Sequence, residues 1–128
     1  MQLITITTYV DKEKLLVEKY QGEYLEQEES YIINYIDKNK KKFKIVIDKN
    51  KDNVSIVKDN TTMAIKKQIS TTNYSTNYGV VHLKTELQNI EILEKNNFVQ
   101  FEIDYKIYFS KIDSQYNKLK LLIKKATK

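Results

Sequence analysis

From Val99 to Phe109 the chain alternates almost without error. Val99, Phe101, Ile103, Tyr105, Ile107 and Phe109 fall on one parity; Gln100, Glu102, Asp104, Lys106 and Tyr108 fall on the other. A period of two places the first set on one face of a β-strand and the second on the opposite face. One face is apolar and aromatic, the other polar. Such a strand covers a core on one side and meets water on the other, as antiparallel sheets do. The same parity recurs along most of the chain. Phe43, Ile45 and Ile47 share a face, as do Val54 and Ile56, and Met63, Ile65 and Ile69. Val81, Leu83, Thr85 and Leu87 stand opposite Val80, His82, Lys84 and Glu86. Leu119, Leu121 and Ile123 alternate with Lys118, Lys120, Leu122 and Lys124, and Tyr31, Ile33 and Tyr35 form a further row.

Two glycines and no proline punctuate the sequence. Turns must therefore come from Asn, Asp and Lys clusters, whose polar side chains bond their own backbone and tolerate left-handed conformations. Such clusters lie at Asp37–Lys40, Asp48–Asn53, Lys58–Asn60, Glu94–Asn97 and Ser110–Ser114. Short polar breaks between alternating runs read as hairpins. Two stretches are ambiguous: Asp11–Tyr20 holds good helix formers, and Leu87, Ile90 and Leu93 sit at helical spacing. Both are read as strand, because each lies within a run of strands and lacks a helix stop. The residues from Ile112 onward also admit some helix.

The chain has 128 residues and no internal repeat or linker, which fits one domain over 1–128. The expected fold is all-β: a single antiparallel meander barrel of roughly eight to ten strands, calycin- or lipocalin-like. Closure removes the exposed edges that an open meander would leave. A two-sheet sandwich is the competing arrangement.

Composition narrows the function classes. No apolar run approaches the ~20 residues that a membrane-spanning helix needs. The opening Met1–Thr7 lacks a basic start and a continuous apolar stretch, so it reads as a strand rather than a secretory leader. The chain has no cysteine, hence no disulfide or thiolate metal site. The expected compartment is the cytoplasm. A net charge of +5 invites a nucleic-acid partner, but every one of the 22 basic residues is lysine. Arginine, the residue suited to bidentate phosphate and guanine recognition, is absent, which argues against that partner.

The segment Tyr20-Gln-Gly22-Glu-Tyr24, followed by Tyr31-Ile-Ile-Asn-Tyr35-Ile-Asp37, resembles a recurring pattern of the YwiB-like family. Those are small bacterial proteins with a calycin-like β-barrel and no assigned activity. Tyr74-Ser75-Thr76-Asn77-Tyr78-Gly79 is similar to that family's Tyr-x-Thr-Pro-x-Gly segment, and Phe101–Tyr105 and Asn117–Ile123 resemble its last two strands. Asn77 replaces the family's proline, and Lys58-Asp59-Asn60 stands where the family carries an Arg-x-Gly turn. The resemblance implies a barrel of eight or slightly more strands and supplies no chemistry.

The residues themselves point to no reaction. His82 is the only histidine and has no Cys, second His or nucleophile motif beside it. Glu23, Glu26, Glu28 and Glu29 form an acidic cluster at an expected hairpin tip, where solvated charge is normal. Gly22 marks a bend or bulge in a strand and Gly79 a turn. Neither glycine belongs to a phosphate loop. The tyrosines carry more information, since an inward-facing phenol needs a hydrogen-bond partner that can be protein, water or ligand. The leading reading is therefore a non-enzymatic barrel without cofactor or metal. It would bind a small apolar or amphipathic ligand in its interior or at its mouth. Tyr20, Tyr24, Tyr35, Phe101, Ile103 and Tyr105 are the candidate contacts. The alternative is a filled barrel that acts as a protein-interaction module or homodimer.

Overall fold

The structure, a computed structural model, describes residues 2–59, 61–76, 78–109 and 113–124. Ten strands follow one another: β1 (Gln2–Val10), β2 (Glu13–Glu26), β3 (Ser30–Ile36), β4 (Lys42–Asp48), β5 (Asn53–Lys58), β6 (Thr61–Lys66), β7 (Ser70–Thr76), β8 (Gly79–Glu94), β9 (Phe98–Tyr108) and β10 (Ser114–Lys124). No helix occurs among the described residues, and none is long and apolar enough to cross a membrane. The strands form one sheet in the order β6-β5-β4-β3-β2-β1-β10-β9-β8-β7. Every ladder is antiparallel. One pairing is non-sequential: β1 meets β10 from Leu3↔Lys124 to Val10↔Asn117 and ties the two halves of the meander together. Val99 pairs with Ile123, which puts the apolar parities of β9 and β10 on one face.

The sheet curls until its end strands meet. Thr85 of β8, fully buried, donates its hydroxyl to the Ala64 carbonyl of β6 at 2.9 Å. No ladder joins β6 to β7 among the described residues, so the barrel is nearly closed and carries one seam. The inner parity is the apolar one. Ile4, Ile33, Ile47, Val54, Ile65, Val99, Phe101, Ile103, Leu121 and Ile123 are wholly excluded from solvent and form a single core. Connections β2–β3, β4–β5, β6–β7 and β8–β9 mark one end of the barrel, here the lower; the other connections mark the upper end.

Turns without glycine take the form the Asn/Asp/Lys clusters imply. Asp11 and Lys12 both have positive φ (49° and 74°) and make the two-residue turn between β1 and β2, as a hairpin matched to strand twist needs. Lys40, Lys51 and Asp59 are also left-handed. Asp37 Oδ1 accepts from the amides of Asn39 and Lys41 at 2.9 and 2.8 Å, which fixes the β3–β4 turn. Asp59 and Lys42 exchange two bonds: the Asp59 amide donates to the Lys42 carbonyl at 2.9 Å, and Oδ1 accepts from the Lys42 amide at 3.1 Å. That contact holds the Asp59 carboxyl below its usual pKa.

The two ambiguous stretches are strand as expected, and the outer ends of two apolar rows differ from the sequence reading. Asp11–Tyr20 and Glu86–Leu93 are strand throughout apart from the Asp11–Lys12 turn, but the helical spacing in the second has a cause. The register shifts between Leu87 and Asn89, so Gln88 is the extra residue of a bulge. A bulge inverts parity; Leu87 and Ile90 are both buried while Leu93 is 45% exposed. Ile69 and Phe109 do not share the core face: each lies beyond the end of its strand, 55% and 61% exposed. Ser110–Ile112 and Asn60 lie outside the described residues, as does Asn77.

Candidate functional site

Gly22 organises the tyrosine-rich side of the barrel. It pairs with Gln2 at the start of β1 and with Tyr35 at the last pair of the β2–β3 ladder. A Cβ built there would stand 2.2 Å from the Asn34 carbonyl oxygen and 2.6 Å from Ile4 Cδ1. The position therefore demands glycine for close approach, not for an unusual φ. The absent side chain lets Ile4 reach across, and the rings on either side of Gly22, Tyr20 and Tyr24, go to different ends of the barrel.

At the upper end Tyr20 stacks on Tyr35 with centroids 4.7 Å apart, and Tyr35 stacks on Phe43 at 4.9 Å. The planes diverge by 17° and 4°, so the three half-buried rings form one continuous pile. Lys58 Nζ lies 5.6 Å above the Phe43 ring and terminates the pile with a cation. Tyr20 donates its hydroxyl to Glu18 Oε2 on the same strand. Burial, reinforced by that bond, pushes the Tyr20 phenol up to about 12. Burial also raises Tyr35, helped by the neighbouring Tyr20 and Glu18. Further polar groups face inward from β10 and β9. Gln115 donates to Asn117 Oδ1 at 2.7 Å, and Asn117 Nδ2 stands 3.5 Å from the Tyr105 hydroxyl. Asn117 and Tyr105 are 6% and 7% exposed, so this chain of polar side chains is a built part of the interior.

The lower end uses the same residue types differently. Tyr31 meets Phe101 edge-on at 5.1 Å, and Tyr24 lies 6.1 Å from the same ring. Lys49 sits over Tyr31 at 5.2 Å and pairs with Glu26 at 2.9 Å. The Tyr24 hydroxyl is buried without a hydrogen-bond partner among the described residues, and burial raises its pKa. These contacts make a plug.

The six sequence candidates therefore separate by depth. Tyr20 and Tyr35 share the upper pile; Tyr24 belongs to the lower plug; Phe101 and Ile103 are fully enclosed, and Tyr105 nearly so. The sequence reading missed Glu18, Phe43, Lys58, Gln115 and Asn117. Glu18 shares parity with Tyr20, and Phe43 faces Tyr35 in the register, so a full parity count would have brought both inward. His82 is exposed and bonds Asn73 across the β7–β8 ladder through Nδ1 at 2.5 Å. The acidic cluster lies at the β2–β3 hairpin, and no group of three metal-binding side chains occurs among the described residues. A cleft of about 440 Å3 at the β2–β3–β4 stagger is lined by the outward-parity Gln21, Glu23, Asn34 and Lys44 together with Gly22, Tyr35 and Phe43 of the inner parity, and one of about 500 Å3 is lined by the outward-parity Tyr9, Glu102 and Lys118.

Comparison with known proteins gives a family without a chemistry. The structure resembles the crystal structure of ywiB protein from Bacillus subtilis, with a TM-score of 0.74 over 98% of this chain and 92% of that one. At 12% identity that likeness shows the fold alone. No curated protein matches the sequence. The family described as "Domain of unknown function (DUF1934)" matches residues 2–121. With nearly its whole length covered, the chain belongs to the DUF1934 family, whose YwiB-like barrel it shares.

Proposed function

We propose that this barrel is a non-enzymatic binding protein of the cytoplasm that takes a small amphipathic ligand at its upper mouth. The single observation that carries the reading is the half-buried pile of Tyr20, Tyr35 and Phe43 between Glu18 and Lys58. Stacked rings offer apolar area and the ends of the pile offer one anion and one cation. A planar ligand bearing polar groups matches both. Asn117 and Tyr105 give the interior a polar floor that an entirely apolar ligand would not use. Phe101 and Ile103 support the site from below and contact a ligand only if the core opens.

Native mass spectrometry of protein purified from its own host tests the reading. A copurifying small molecule that is lost in Tyr35→Ala, with the fold retained by circular dichroism, is the expected result. Ligand-free protein that also shows no thermal shift with a panel of aromatic amphipaths would overturn it. The enclosed interior at Phe101 and Ile103 favours a second reading, a protein-interaction module that works through its outer surface.

A further inference from the structure

The two ends of the barrel differ in what they expose to solvent. Large apolar residues in contact with water gather round the upper mouth. Leu15, Leu16 and Val17 lie where β2 runs above its ladder with β3, and Ile36 ends β3. Val80 lies near the start of β8, and Phe109 just past the end of β9. Leu15, Phe109 and Val80 are 69%, 61% and 58% exposed. In the sheet these positions run from β3 through β2, β1, β10 and β9 to β8, six neighbouring strands of the ten. They form a broken rim about the mouth rather than a patch on one wall. Exposed apolar side chains scattered singly are ordinary; a rim of them marks a contact surface.

The charges at the rim identify the occupant. The β3–β4 turn, next to Ile36, reads Asp37-Lys38-Asn39-Lys40-Lys41-Lys42. Asp37 Oδ1 is held by two amides of its own turn, and Asp59 pairs with Lys41 at 3.4 Å. Lys38, Lys40 and Lys42 are exposed and make no ion pair among the described residues. Lys58, at the neighbouring turn, adds a further cation. The lower end also exposes aliphatic residues, but beside carboxylates: Leu25 stands near Glu26, Glu28 and Glu29, and Leu93 next to Glu94. An anionic surface attracts the first end and repels the second. A rim spread over six strands at one end of a barrel also fits a flat surface better than a groove. A bilayer with anionic lipid supplies both halves of the contact, an apolar layer for the aliphatics and headgroup charge for the lysines.

We propose that the upper rim is a membrane-docking surface. The barrel stands with its mouth against an anionic bilayer, Leu15, Leu16, Ile36, Val80 and Phe109 enter the interfacial layer, and the Lys38–Lys42 turn lies against the headgroups. The contact is peripheral and needs no span. It uses residues outside the Tyr20–Tyr35–Phe43 pile, so it is independent of ligand binding at the mouth. Docked in this way, the mouth faces the layer in which amphipathic molecules dissolve.

Cosedimentation of the full chain with vesicles tests this, with circular dichroism to confirm that each variant is folded. Phosphatidylcholine vesicles carrying about 30% phosphatidylserine should bind the protein at roughly 0.1–1 mM accessible lipid. Pure phosphatidylcholine should bind it about tenfold less tightly, and added salt should weaken the anionic case. Lys40→Glu with Lys42→Glu should lower binding by about tenfold or more. Leu15→Ser with Phe109→Ser, which leaves every charge in place, should also lower it about tenfold. Lys66→Glu with Lys67→Glu makes the same charge change at the lower end and should cost less than about twofold. Protein that stays in solution with anionic vesicles overturns the proposal and leaves the rim to a protein partner. Equal binding to both vesicle types overturns it too, as does binding that survives the Leu15 and Phe109 replacements. An equal loss from the Lys66 and Lys67 reversals would show that net charge, not the rim, carries the contact.

Discussion

The two ends of the barrel use the same aromatic residues to opposite effect. At the lower end Tyr24 and Tyr31, parallel to each other within 10° at 6.4 Å, both close on Phe101 through tilted and edge-on contacts. At the upper end Tyr20, Tyr35 and Phe43 lie nearly parallel along the wall. The cause lies in the neighbours. Below, the rings face Phe101, which is itself enclosed among aliphatic residues. Above, polar residues interrupt the inner row: Glu18, Gln115, Asn117 and Thr85 replace the aliphatics that would close it. A barrel with strict apolar alternation seals itself. One whose inner parity admits hydroxyls, amides and a carboxylate keeps an end able to exchange partners.

Truncating the plug should give the largest effect. Phe101→Ala removes a fully enclosed ring and the contacts of two tyrosines, a loss of about 3–5 kcal/mol of stability by denaturant titration. If Tyr35→Ala costs as much, the upper rings are as integral to the core as the lower and the contrast fails. Gly22→Ala comes next. The added methyl would overlap a backbone carbonyl and Ile4 Cδ1, and overpacking of this kind costs about 1–3 kcal/mol, more where backbone must shift. Because both ends depend on this close approach, both should loosen together in hydrogen exchange. Loss of protection at one end alone would show that Gly22 serves that end only.

The smallest effects separate the two ends by their hydroxyls. Tyr105→Phe deletes the partner of Asn117 and should cost about 1 kcal/mol. Tyr24→Phe deletes a buried hydroxyl that has no partner and should leave stability unchanged or raise it. Equal losses in the two variants would mean that the Tyr24 phenol is satisfied in solution and that the plug is less dry than its packing implies.

Much of the fold is legible in the sequence because a period of two survives wherever the strand is regular. β9 and β10 can be read face by face from their alternation, and they pair as neighbours. Legibility fails where geometry departs from that period. The bulge at Gln88 makes a strand look helical, and the bulge at Leu15 obscures the start of β2. Ile69 and Phe109 continue the pattern past the strand ends, where the chain no longer pairs. For the candidate site, parity finds Tyr20 and Tyr35 as inward residues. It cannot say which rings stack and which plug, because that depends on what stands across the barrel. Phe101, about seventy residues from Tyr31, is invisible to any local window.

The central claim is that the barrel is sealed below and receptive above. Tyrosine-selective NMR on protein carrying a 13C label at the phenol carbon tests it directly, with anilinonaphthalene sulfonate as a planar amphipathic probe. The account predicts shifts at Tyr20 and Tyr35, a smaller one at Tyr105, and none at Tyr24 and Tyr31 or at the outward-facing Tyr9, Tyr108 and Tyr116. Shifts confined to the outer tyrosines, or centred on Tyr24 and Tyr31, would contradict it.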